Sequence, residues 1–290
     1  MLQVLANGVV TGASIALMAL AFQLVFLPIR VFHVSLGAVF TGVPYAAWLA
    51  LQGGLPTFMV VICAILFAIM FSLALEVINH SPLERRNASF VAHLIASLGI
   101  YIFFAQVIAV AFGNSPKHIR TFDDFAVRFG DVIVTGVQVG VVVVCTVTLV
   151  AFFVWLRMTN LGLRFRALAD NPSDLALLGY NVSGLRLLAF GLSGFAVAIT
   201  SLAIAYDIGF HPHNGLDTLI IAVVAMIIGG RRSFIGPVIG GLLLGILRAN
   251  VIWFFEARWQ DVVMFTILAL FLLFRPDGIV GKKMRVEAQA

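Results

Sequence analysis

Few side chains in this sequence could do chemistry, and most of them lie inside long apolar runs. His33, Glu76, His93 and Asp217 are ionisable groups at positions where a bilayer would have to desolvate them. Such groups are costly at membrane depth, so they are functional candidates by default. Glu76 falls near the end of its run, close enough to an interface to be merely solvated. Gln23, Ser35, Thr41, Ser97 and Gln106 add hydrogen-bonding capacity within the runs. A helix–helix hydrogen bond is the plainer use for each of them. No conspicuous charged pair lines the runs, which suits a zwitterionic or neutral solute.

Other chemistries lack their parts. No GxxxxGK[ST] loop occurs, and Gly229-Gly230-Arg231-Arg232-Ser233 has neither that spacing nor the lysine. The chain is therefore not expected to bind or hydrolyse ATP itself. His211 and His213 straddle Pro212, the pattern of a surface turn rather than a metal site. No nucleophile, base and orienting acid can be assembled, so no catalytic residues and no metal are assigned, and the chain is not an enzyme on its own. Cys63 and Cys145 read as small membrane-buried side chains rather than a disulfide.

The elements that must position these residues follow from composition. Of 290 residues, 62% are hydrophobic and 11% charged, against about 45–50% and about 25% in soluble domains. A soluble core of this size cannot bury that excess, whereas apolar runs of about 20 residues span membranes. Nine runs are read, at 3–27, 33–50, 56–79, 90–112, 132–156, 184–206, 215–230, 234–254 and 259–274. Ser81-Pro82, with the charges after it, separates the third and fourth. The expected fold is all-α and polytopic, with about eight to nine transmembrane helices in one domain over 1–290. The run at 33–50 carries Gly37, Gly42 and Pro44, so it is either a crossing or a broken, re-entrant helix. Interrupted helices at membrane depth point to a transport path. Gly236, Gly240, Gly241 and Gly245 have the spacing of close helix packing.

Alternate loops differ in charge. One set, with the C-terminal tail, holds 13 Lys and Arg residues, including Arg157, Arg164, Arg166, Arg186, Lys282, Lys283 and Arg285. The other set holds five: Lys117, Arg120, Arg128, Arg248 and Arg258. The positive-inside rule places the first set and the C-terminus in the cytoplasm, and the N-terminus outside. That placement explains the net charge of +5 without nucleic acid.

The longest polar interruption on the cytoplasmic side is 157–186. From Pro172 to Leu178 it has a short helical pattern, with Pro in the first turn, Gly179 at the end, and Asp170 or Asn171 as N-cap. Leu175, Leu178 and the alanine between them offer a small apolar face. A helix this short is marginal in water and needs a surface to pack on. On composition alone the stretch is an ordinary charged loop whose arginines set orientation.

Several stretches resemble the permease subunits of bacterial ABC importers for branched-chain amino acids. Asn7-Gly8-Val9-Val10-Thr11-Gly12 is similar to that family's first helix, and His33-Val34-Ser35-Leu36-Gly37-Ala38-Val39-Phe40 to its signature. Arg166 to Val182 resembles its motor-docking loop. Ile227–Ile246 and the ending Arg275-Pro276-Asp277-Gly278 match in order and spacing. The resemblance implies alternating access in a bacterial inner membrane. Its implied partners are a second permease, identical or related, two cytoplasmic ATPases that bind the ATP and Mg, and an external substrate-binding protein. It makes Asp170, Asn171, Pro172, Asp174, Leu175, Leu178, Gly179 and Tyr180 the coupling helix. It makes His33, Ser35, Thr41, Gly42, Pro44, His93, Ser97 and Asp217 path or gate candidates, His33 first because it stands in the signature. The implied cargo is a branched-chain or other small amino acid, with urea, short amides and related solutes as alternatives. An ion-coupled secondary transporter or channel is the rival class.

Overall fold

A computed structural model describes residues 1–119, 125–130, 132–275 and 277–280. Arg120 and the tail residues Lys282, Lys283 and Arg285 lie outside them. Helix α1 (Leu2–Ile29) is the element the others stack on. From Ala16 to Val25 every residue is at most 1% exposed, as a helix apolar on all sides must be when it is wrapped by protein. The chain leaves it through Arg30, in a left-handed conformation at φ 59, and runs without helix to Ser35.

Helix α2 (Leu36–Gln52) then crosses alongside α5 (Phe90–Phe112). Phe32 meets Phe90 at the start of α5, while Tyr45 and Trp48 meet Phe112 at its end. The segment is thus one continuous helix from Leu36 to Gln52, entered through a non-helical stretch. Pro44 does not break it, although proline cannot bond the carbonyl four residues back. The Ser201 hydroxyl, from a neighbouring helix, donates to that freed Phe40 carbonyl at 2.7 Å.

Between α2 and α5, α3 (Thr57–Leu75) runs back and continues through a π-helical turn, Glu76–His80, into α4 (Ser81–Arg85). Ser81-Pro82 therefore does not end the helix as expected from sequence. The Ser81 N–H reaches the Glu76 carbonyl, and this wider turn absorbs the missing N–H and the ring of Pro82.

Beyond α5 a small antiparallel hairpin, β1 (Ala126–Phe129) and β2 (Val132–Thr135), pairs Ala126 with Thr135. The apolar stretch 132–135 is thus strand, and α6 (Gly136–Met158) starts at a capping box of Thr135 and Gln138. After α6 come α7 (Asn160–Asp170), α8 (Pro172–Leu177), α9 (Val182–Asp207) and α10 (Asn214–Gly229). The last two helices are α11 (Gly236–Phe254) and α12 (Gln260–Phe274).

Among the described residues seven helical stretches are long and apolar enough to cross a membrane, while α2 and α10 are apolar but shorter. At 1.5 Å per residue these two reach roughly 24–26 Å, short of a ~30 Å hydrocarbon core. The chain is a polytopic membrane protein. Close helix contacts are made through glycine on two faces of α11. Gly241 and Gly245 lie against Ala16 and Gly12 of α1, and Gly236 and Gly240 against Gly229 and Ala225 of α10. Any side chain there would collide with backbone, which is how small residues let membrane helices approach.

Candidate functional site

The sequence candidates divide into three places. His33, Ser35, His93 and Ser97 come together where the non-helical stretch between α1 and α2 passes the start of α5. Ser97 Oγ donates to the Phe32 carbonyl at 3.2 Å and accepts the Val34 N–H at 3.2 Å, so it satisfies backbone that no helix ladder covers. His33 Nδ1 lies 3.1 Å from Ser35 Oγ and 2.9 Å from His80 Nε2, and His80 Nδ1 lies 3.2 Å from His93 Nδ1. Three buried imidazoles thus form a chain, with the His33 and His80 rings against Phe190. Among the described residues no three such side chains converge to hold a metal.

His80 was missed in the sequence because Ser81-Pro82 reads as a loop. The helix running through Pro82 carries both His80 and Glu76 inward. Glu76 is buried rather than solvated, and Arg186 Nε donates to its Oε1 at 2.9 Å. Arg186 also pairs with Glu84 on α4. Arg186 is therefore no mere marker of orientation: it is buried and locks the start of α9 to the π-turn.

Thr41, Gly42 and Pro44 are packed within α2. A side chain at Gly42 would meet the Phe67 and Phe104 rings at 2.8 and 3.0 Å. Gly215, in the first turn of α10, sits directly on Gly37 and Thr41, so the two short helices touch near their N-termini. Tyr101, midway along α5, ties this crossing down: its hydroxyl donates to the His213 carbonyl at 3.3 Å and accepts the Leu216 N–H at 3.2 Å.

Asp217 stands apart from these. It is exposed on α10 and lines a cavity of about 490 Å³ at the end of the bundle opposite the 157–186 loop. Arg248 of α11 lines the same cavity, so the fold brings two opposite charges to one space.

The 157–186 loop is more helical than its composition suggests. Thr159, Asn171 and Asn181 each cap a following helix through a side-chain oxygen. Asp170 ends α7 and is not the cap of α8; Asn171 is, accepting the Ser173 N–H at 3.0 Å. Asp174 stands in the first turn of α8. Gly179, at φ 82, turns the chain, and the Tyr180 N–H reaches back to the Leu175 carbonyl, a closure that glycine at this position favours. Leu175 packs inward on Leu168 and Leu185. Leu178 does not share that face: it is 73% exposed and its neighbour Leu177 86%. Tyr180 lies under the Arg164 guanidinium, 4.9 Å from ring centre.

Comparison with known proteins gives one consistent result. Residues 4–272 match the family model described as the permease component of branched-chain amino acid transport systems. A high-affinity branched-chain amino acid transport permease protein of Pseudomonas aeruginosa, BraD, is 28% identical over 97% of this chain and 96% of its own. The LivH permease protein of Escherichia coli K12 is 25% identical over the same shares. An autoinducer 2 import permease protein of Escherichia coli, LsrC, is 33% identical over 46% of this chain and 41% of its own.

Proposed function

Because this chain belongs to the family of branched-chain amino acid transport permease components, we propose that it is the membrane-spanning subunit of an ATP-driven importer for branched-chain amino acids. A second permease, identical or related, completes the translocation path. Two cytoplasmic ATPases bind the ATP and Mg, the 157–186 loop of this chain is a docking point for them, and a substrate-binding protein delivers cargo to the opposite end. That end is external in a bacterial inner membrane, with the N-terminus outside and the C-terminus in the cytoplasm. ATP-driven approach of the ATPases moves the loop, and the permease pair exposes its path to each side in turn.

One observation carries the coupling role. Helix α8 is braced from within by Leu175 and capped at both ends, yet it turns Leu177 and Leu178 fully outward. Two adjacent apolar side chains on a fixed polar loop fit a protein partner, and the sequence has no nucleotide-binding loop of its own. The charge count supports the orientation.

The experiment is purification of the tagged chain from its native membrane, followed by L-leucine uptake in liposomes. ATPase subunits are expected to co-purify, and uptake to require ATP and survive collapse of ion gradients. A chain that transports alone and stops when the gradient is removed would establish the ion-coupled class instead. Leu177→Asp and Leu178→Asp together are expected to lower ATPase recovery and uptake by roughly 30-fold, the effect of losing an interface anchor. The isolated chain should keep its melting temperature, since exposed substitutions rarely shift stability by more than about 0.5 kcal/mol.

A further inference from the structure

The cavity at the end opposite the 157–186 loop holds an arrangement that no packing role uses up. Its walls are the first four turns of α1, the end of α9, the start of α10 and the end of α11. Its volume of about 490 Å³ lies within the ~300–1,000 Å³ usual for small-molecule sites. Much of the wall is apolar, with Ile15, Ile204 and Ile221 among its residues.

Two opposite charges face this space. Arg248 Nη2 donates to Gln260 Oε1 at 2.6 Å, and Nη1 lies 3.9 Å from Asp261 Oδ1. Nη1 is itself buried and has no hydrogen-bond partner among the described residues. A guanidinium has five N–H donors, so Arg248 keeps donor capacity beyond its tie to Gln260. Asp217 is exposed and lines the same cavity as Arg248, and Asp207 adds a second carboxylate at the end of α9.

We propose that this cavity is the outward substrate site, where Arg248 receives the carboxylate and Asp217 the ammonium of an aliphatic α-amino acid, and the isoleucine wall takes its side chain. This rests on the amino-acid importer reading and adds the recognising groups to it. A planar fork that can grip a carboxylate through two bonds is the chemistry arginine offers and lysine does not. A solute with one charge only would leave the other partner desolvated and unmatched, which sites of this kind reject strongly.

The test uses the importer purified with its partner subunits, carrying Cys63→Ala and Thr218→Cys. Thr218 lines the cavity but spends its hydroxyl on the Asn214 carbonyl. L-leucine is expected to slow modification of the new thiol by a charged thiosulfonate about tenfold, an occupancy effect. 4-Methylpentanoate and 3-methylbutylamine, each lacking one charged group, should leave the rate unchanged. Adding Arg248→Gln or Asp217→Asn should abolish protection by leucine, while Arg248→Lys, as a point charge, restores it only in part. If leucine gives no protection, or both one-charge analogues protect equally well, the site assignment is overturned. Should a charge variant fail to assemble, the analogue comparison decides alone. Leucine uptake by the unsubstituted importer separates the two readings: uptake without protection defeats only this site, whereas no uptake of any branched-chain amino acid defeats the importer reading itself.

Discussion

Two interruptions of the helical bundle share a spacing and differ in surroundings. Phe32-His33 stands five and four residues ahead of Gly37, and Phe210-His211 stands five and four ahead of Gly215. Each stretch leads into one of the two short apolar helices, α2 and α10, and the two glycines meet where those helices begin. Past the exposed Arg30, the polar side chains of the first break are buried: His33, Ser35 and Ser97 are all unexposed and bonded to one another, to backbone or to His80. Around the second, His213 is exposed and Asp217 opens onto the cavity. A His213 N–H to His211 Nδ1 contact of 3.3 Å and a bridge from Phe210 to Lys117 are its local ties. Burial, and then His213, lower the affinity of His211 for a proton. The difference is one of burial: the first break is packed inside the chain, and the second opens onto a cavity.

The largest expected effect comes from the buried side of this comparison. Glu76 and Arg186 are a buried pair with side-chain exposures of 4% and 10%. Removing one member of such a pair strands the other, at a cost of about 3–5 kcal/mol, whereas replacing both by apolar groups is far milder. Arg186→Met strands the buried Glu76 and should lower the melting temperature of the detergent-purified chain severely; Glu76→Met should cost less, because Arg186 keeps Glu84, and the double variant should recover most of the Arg186→Met loss. If Arg186→Met melts like the original, the buried side does not depend on this pair, and the contrast between the two breaks loses its strongest support.

Next in size is the point where the breaks meet. A methyl group at Gly215 would collide with the Gly37 carbonyl and the Thr41 hydroxyl, while one at Gly37 would find its nearest neighbours at 3.1 Å. Overpacking a tight contact costs about 1–3 kcal/mol, so Gly215→Ala belongs at the upper end and Gly37→Ala at the lower. Thermal denaturation of both variants reads the order directly. Equal losses would mean that the crossing is symmetrical and that either helix can shift to relieve it.

How much of this was legible depends on range. Helix α5 lies where its apolar run lies, because a single apolar run in lipid can pair its own backbone groups only as a helix. The glycines of α11 announced close packing by their spacing alone, though only the fold shows that alternate pairs face α1 and α10. The π-turn was hidden because Pro82 usually ends a helix, and with it went His80 and the inward turn of Glu76. Arg186 looked like one more cytoplasmic arginine; its partners stand more than a hundred residues earlier in the chain, a distance that no local pattern bridges. Spacing puts Leu178 and Leu175 on one small apolar face, but α8 ends at Leu177 and the two part, Leu175 packing inward and Leu178 turning out. The shared Phe-His and glycine spacing of the two breaks was present in the sequence. Three residues in common are too few to stand out until the glycines are seen in contact.

The smallest expected effect is also the most direct comparison, because it makes the same substitution at matched positions. His33→Ala removes the contacts to His80 and Ser35, empties the space beside Phe190, and leaves His80 Nε2 desolvated. Losing a buried hydrogen-bond partner costs about 1–3 kcal/mol, and the aromatic chain through His93 should keep the loss near the lower figure. His211→Ala removes a half-exposed ring whose contact is to the backbone two residues on, and surface changes of that kind stay within about 0.5 kcal/mol. The melting temperature should therefore fall for His33→Ala and hold for His211→Ala. A reversed order would mean that the open break is the structural one, and that the buried histidines are bonded to one another only because all were excluded from water. With the expected order, the two histidines have the same place in a shared spacing and opposite surroundings: His33 is held by buried partners, and His211 by little beyond its own turn.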